Sequence, residues 1–205
     1  MPHSPPSMAY PEQYKSIRRG SGSLPLTVET GTETLPKELG PSDVVIKIHA
    51  VSLNFRDVGL LHGKMPKGSY PPEALEHVII ASDCAAEVVA LGEEVRDFHI
   101  GDHVSPIFDL NDIDDGEEKD EYADAEFKPL GGTTHGVLRE YAVFDEKLLV
   151  RVPKYLSWEE VCFRVQLPVA SRGTMSDKEC ILAGIYSHLR WCHCLGCPRY
   201  PERCV

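Results

Sequence analysis

Between residues 43 and 153 the sequence returns repeatedly to one pattern, a short run of β-branched or small apolar residues closed by a turn former. A chain punctuated this way is confined to a mainly β fold, a small barrel or sandwich. In "DVVIKIHAVSL" the alternation puts Val44, Ile46, Ile48 and Ala50 on one face and Lys47 and His49 on the other. "CAAEVVALG" is a second run, closed by Gly92, and "HIGDHVSPIF" carries a Gly-Asp turn signal ahead of a third. "GVLREYAVFDEKLLVRVP" reads as two strands meeting at Asp145 and Glu146 and stopping at Pro153. "YKSIRR" and "LPLTVET" are shorter candidates near the start. Only "FRDVGLLHGK" and "LSWEEV" read as helices, the second because Ser157 and Glu160 stand at capping-box spacing.

A length of 205 residues allows one good core, or one core and a fragment of another. No apolar run is long enough to cross a bilayer, and "MPHSPPSMAYPEQ" lacks the basic start and apolar stretch of a secretory signal. A soluble, cytoplasmic protein with no membrane partner is therefore expected. The formal net charge is −11, and residues 109–126 supply most of it, with ten acidic side chains against Lys119 alone. Such a run is expected to be a solvated loop held open by self-repulsion. The acidity also argues against nucleic acid as a ligand, since phosphates require a basic footprint.

Taken in order, "VVIKIHAVSLNFRDVGLLHGK", "AAEVVALGEEVRDFHIGDHVSPIF" and "GGTTHGVLREYAVFDEKLLVRVPKYLSWEE" resemble the N-terminal catalytic domain of the medium-chain dehydrogenase/reductase superfamily. The resemblance runs over residues 14–160 and is nearest to the zinc-independent branch of quinone oxidoreductases and alcohol dehydrogenase-like enzymes. It implies a GroES-like distorted β-barrel with a few short helices, in agreement with the strand pattern. It also implies an NAD(P)-dependent oxidoreductase acting on a small carbonyl, quinone or enone.

In zinc-dependent relatives the strand-to-helix junction carries Cys-His-x-Asp, and the matching positions here are Asn54, Phe55, Arg56 and Asp57. A second metal motif, Gly-His-Glu, is matched by Ala81, Ser82 and Asp83. A catalytic zinc needs three converging ligands, so no zinc is expected, catalytic or structural. Polarisation of the substrate then falls to hydrogen bonds, and Asn54 can donate through its amide without titrating. Asp57 is suited to orienting Arg56 or capping the following helix, and Arg56 to an ion pair at the mouth. The resemblance thus implies Asn54, Asp57 and Arg56 as the candidate catalytic set. Relatives carry glycines where this chain has Ala81, Cys84 and Ala86, and a side chain held at positive φ there would cost about 1 kcal/mol. Cys84 reads as a small hydrophobe, and His135 as an exposed loop residue.

After Glu160 the family pattern stops. Residues 161–205 hold no G-x-G-x-x-G following a strand, so no dinucleotide site is visible and the Rossmann domain is missing. Cys192, Cys194, Cys197 and Cys204 beside His193 suggest a metal knuckle, but "CHCLGC" lacks the usual C-x-x-C halves. Read one base later, codons for "RWCHCLGCPRYPERCV" permit "AGVTAWDALGIQSGV", and Val161-Cys162 can be encoded by a common intron donor. The expectation is a 1–160 domain followed by a tail, 161–205, arising from intron read-through and a frame shift. Such a chain would bind NAD(P)H weakly or not at all and be catalytically weak or inert, a truncated barrel or binding module. The oligomeric state is left open.

Overall fold

The computed structural model describes residues 10–64, 75–110 and 128–164. The acidic run beyond residue 110 and the tail beyond residue 164 lie outside the described residues. Every expected strand is present: β1 (Gln13–Arg19), β2 (Val28–Thr34), β3 (Asp43–Ser52), β4 (Asp83–Leu91), β5 (His103–Pro106), β6 (Tyr141–Asp145) and β7 (Leu149–Arg151). The two helices are α1 (Phe55–Leu61) and α2 (Trp158–Arg164). Among the described residues no helix is long and apolar enough to cross a membrane.

The strands form a curled five-stranded antiparallel sheet in the order β6-β3-β4-β5-β7 and a separate β1-β2 ribbon. Bridges from Ser16 to Arg139 and from Arg18 to Ile79 tie the ribbon to the sheet's connecting segments and close part of a barrel. The ribbon is braced by Arg18, whose Nε and Nη2 donate to the two carboxylate oxygens of Glu33 at 2.7 and 2.5 Å. At the far end, Gly101 has φ +85° and completes the turn in which Asp102 N donates to His99 O. The chain has no side-chain penalty to meet there, and β5 begins directly after it.

One expectation about β3 fails. Val44 and Ile46 enter the main core with Cys84, Ala86, Val88, Val104 and Phe144, and Ile48 packs against it. Ala50 does not follow them; it packs on the opposite face with Ala85, Val161 and Cys162. The cause is a register shift between Ile48 and Ala50, where the pairing moves from Ile48↔Ala86 to Ala50↔Ala85. His49 is the extra residue of this bulge. A one-residue slip exchanges the two faces of a strand, so Val51 turns to the main core and Ala50 to the outer side.

Helix α2 lies over that outer side. Ser157 and Glu160 cap it reciprocally, Ser157 N donating to Glu160 Oε2 at 3.0 Å and Glu160 N to Ser157 Oγ at 3.2 Å. The helix continues without a break past Glu160, and Val161 and Cys162 are buried.

Candidate functional site

β3 delivers its polar residues to a junction with α1. Asn54 leaves the strand in an extended conformation, φ −120° and ψ 165°, and becomes the helix N-cap. Asp57, three residues on, folds back beneath it. Its Oδ2 accepts from Asn54 N at 2.8 Å and its Oδ1 from Ala81 N at 3.2 Å. The carboxylate is buried, so Asp57 satisfies the helix start and fastens it to the segment entering β4. That is the capping alternative for Asp57 and not the orientation of Arg56.

Arg56 forms no ion pair with a described residue. Its Nη2 donates to the Leu130 carbonyl, its guanidinium lies 4.6 Å above the Phe108 ring, and its Nη1 is buried without a hydrogen-bond partner. The side chain joins α1 to the two ends of the acidic loop, a cation–π and backbone tether.

Asn54 faces Asp83. Its Nδ2 donates to Asp83 Oδ2, and Ser82 Oγ donates to the same oxygen at 2.9 Å. The backbone registers them, since Ser52 at the end of β3 pairs with Asp83 at the start of β4. The positions that match the two metal motifs of zinc-dependent relatives are therefore adjacent, occupied by an amide, a hydroxyl and a carboxylate bonded to one another. An amide NH₂ has two donor hydrogens and a carbonyl acceptor, so Asn54 keeps one donor beyond the Asp83 bond. Ser82 and Asp83, matched in sequence to the second metal motif, were given no site role there. The available signal was a carboxylate at a position matched to a metal ligand, directly ahead of the small apolar run "CAA". Beside this group Leu53, Phe55 and Val58 are 64, 77 and 54% exposed, an apolar rim on the polar mouth.

The wall behind the mouth is a close backbone contact. Ala81 has φ +69°, the strained conformation expected where relatives carry glycine. Gly131 and Gly136 press against it: a Cβ at Gly131 would lie 2.5 Å from the Ala81 carbonyl oxygen, and one at Gly136 would lie 2.0 Å from it. Fully buried Arg19 locks the arrangement, donating to the carbonyls of Leu75, Gly131 and Gly132 at 2.7 to 2.9 Å. His135 is exposed, as expected, and its Nδ1 accepts from Ile79 N at 3.2 Å. Cys84 is buried, and burial beside Asp83 pushes its thiol pKa far up, so it holds its proton and packs as a hydrophobe.

Residues 40–154 match the alcohol dehydrogenase GroES-like domain. The chain belongs to this family. Its relatives are medium-chain dehydrogenases and reductases. Over 149 residues the chain is 38% identical to a zinc-type alcohol dehydrogenase-like protein of Schizosaccharomyces pombe, a match covering 71% of the chain and 40% of that protein. It is 32% identical over 121 residues to the chloroplastic quinone-oxidoreductase QR1 of Triphysaria versicolor, covering 59% of the chain and 29% of the relative. A solved alcohol dehydrogenase-like structure from Sinorhizobium meliloti superposes with a TM-score of 0.60 at 26% identity, covering 76% of the chain and 43% of that structure. The GroES-like chain thus spans about two fifths, or less, of the length of these relatives.

Among the described residues of this GroES-like domain no three His, Cys, Asp or Glu side chains group as metal ligands. Every pairing between its strands is antiparallel, whereas a dinucleotide fold is built from parallel βαβ units. The described residues therefore contain no parallel βαβ dinucleotide unit, and no step through a nicotinamide is assigned to them.

Proposed function

We propose that this chain is the substrate-side domain of an NAD(P)-dependent, zinc-independent oxidoreductase for a small carbonyl, quinone or enone. The observation that carries the reading is the Asn54–Asp83 pair at the β3–α1 mouth. The carboxylate fixes the rotation of the amide, leaving its second N–H to meet a substrate oxygen. A pre-oriented donor of this kind stabilises charge developing on that oxygen without reorganising. Asp57 holds the helix start that carries Asn54, and Arg56 ties the mouth to the loop ends. The exposed Leu53, Phe55 and Val58 supply an apolar approach suited to a quinone or enone ring.

The zinc-independent part of the proposal rests on donor chemistry. An asparagine amide and a serine hydroxyl are poor zinc ligands, and each donates one hydrogen bond to Asp83. The reading of residues 161–205 as a translated intron and shifted frame belongs to the same proposal, and sequencing the spliced transcript tests it. A transcript encoding this tail and no longer product overturns it.

Titrating the chain with NADPH and a quinone, followed by nicotinamide fluorescence and by quinone binding, separates the two functional readings. Quinone binding that weakens in Asn54→Ala supports the substrate-side role. Tight NADPH binding would show a cofactor site outside the described residues. Absence of both favours a catalytically inactive barrel or binding module. Metal analysis of the purified chain is expected to find no stoichiometric zinc.

A further inference from the structure

Helix α2 meets the sheet through one indole held between two imidazoles. The Trp158 ring stacks on His49 with centroids 4.3 Å apart and planes at 10°, and it lies 3.9 Å from His103 at 37°. His49 reaches this face by alternation after Ile48, just before the register shift of β3, and His103 stands at the start of β5. Behind the indole, Val161 and Cys162 are buried on Ala85, with Ala50, Val152 and Leu156 packed around them.

The two histidines differ in their partners. At His49, Nε2 lies 3.1 Å from Glu87 Oε2. At His103, Nδ1 is buried with no hydrogen-bond partner. The charged groups acting on it are Lys154 from the segment before α2, Glu87 from β4, Asp102 from its own turn, and His49 from β3. Burial, then Lys154, outweigh the two carboxylates and hold the His103 imidazole below its ordinary value of 6.5.

We propose that this stack is a pH-operated latch: neutral His103 seats Trp158 against the sheet, and protonation of His103 releases the indole and with it helix α2. The direction follows from linkage. A released His103 binds its proton more readily than a seated one, so seating is complete above the ordinary histidine value. It is lost as pH falls through the lowered one. The inference is independent of the oxidoreductase reading.

The test uses the whole chain with Trp191→Phe, leaving Trp158 as the sole indole. Its emission is followed from about pH 8 to about pH 4.5, the range in which a perturbed histidine titrates. The expected result is a red shift with a midpoint below 6.5, coincident with the His103 imidazole titration seen by NMR, while the far-ultraviolet signal of the sheet is unchanged. His103→Gln abolishes the shift and His49→Gln retains it. A shift that persists in His103→Gln, or that accompanies loss of the sheet signal, overturns the proposal. Should His103→Gln not fold, the unsubstituted His103 decides: titration at or above the ordinary value, or titration with no change in emission, overturns it.

Discussion

Gly136 lies directly beneath Ala81: a Cβ at position 136 would stand 2.0 Å from the Ala81 carbonyl oxygen, and 2.5 and 2.7 Å from those of Ile80 and Ile79. All three atoms are backbone and cannot swing aside. Gly136→Ala should therefore destabilise the domain by about 3 kcal/mol or more, the upper range for overpacking. A lowered urea midpoint with unchanged m-value would register it. The paired substitution Ala81→Gly is expected to be close to neutral. It relieves about 1 kcal/mol of positive-φ strain and gives up about 0.8 kcal/mol of methyl burial, two effects that cancel.

Asp57 is buried and takes hydrogen bonds from two backbone N–H groups on separate elements. Asp57→Ala would strand the donors of Asn54 and Ala81 and should cost about 2–6 kcal/mol, at about 1–3 kcal/mol per unsatisfied group. Asp57→Asn keeps an acceptor for one of them and should cost roughly half as much. Thermal denaturation of the two variants side by side gives the comparison.

At the mouth itself stability and binding should separate. Asn54→Ala removes one side-chain hydrogen bond at a half-buried site and should cost about 1 kcal/mol of stability. Quinone or enone binding should weaken by about fivefold, the equivalent of one neutral hydrogen bond. Calorimetric titration of variant and parent chains measures the second effect; equal affinities would remove Asn54 from the substrate's path.

The β1–β2 ribbon should be sensitive to acid. Hydrogen bonds from Arg18 hold the Glu33 carboxyl below its ordinary value of 4.5, against the opposing cost of burial. A depressed carboxyl stabilises the fold above its unfolded value, and that contribution disappears as pH falls through the folded one. Glu33→Gln should cost about 1 kcal/mol near neutrality and flatten the acid limb of the stability profile. Denaturation midpoints between about pH 3 and pH 7 test this.

Much of this architecture was legible in the residues, for reasons that can be named. Alternation gave the strands because each has one face on a core, and the Ser157–Glu160 spacing gave the α2 cap because the motif is local. The Ala81 strain was visible because relatives place glycine at that position. Ala50 was misplaced because a bulge leaves no trace in a binary pattern; it exists only in the pairing of β3 with β4. Arg56 was expected in an ion pair, yet its partners are a carbonyl and an aromatic ring from residues far along the chain. Asp83, matched only to a lost metal motif, was not joined to Asn54 for the same reason. Its role depends on Asn54, which lies 29 positions earlier and becomes a neighbour only when the sheet forms.

The bulge at His49 makes β3 a shared beam. Its first half supports the interior and its last residues support the layer under α2. Deleting His49 would make the ladder continuous from Ile48↔Ala86 to Ala50↔Ala85, keeping Ala50 outward, Val51 inward and Asn54 beside Asp83, while the Trp158 stack loses one imidazole. The extra residue thus serves the helix side of the beam alone: its loss would thin the anchorage of α2 and leave the mouth in register.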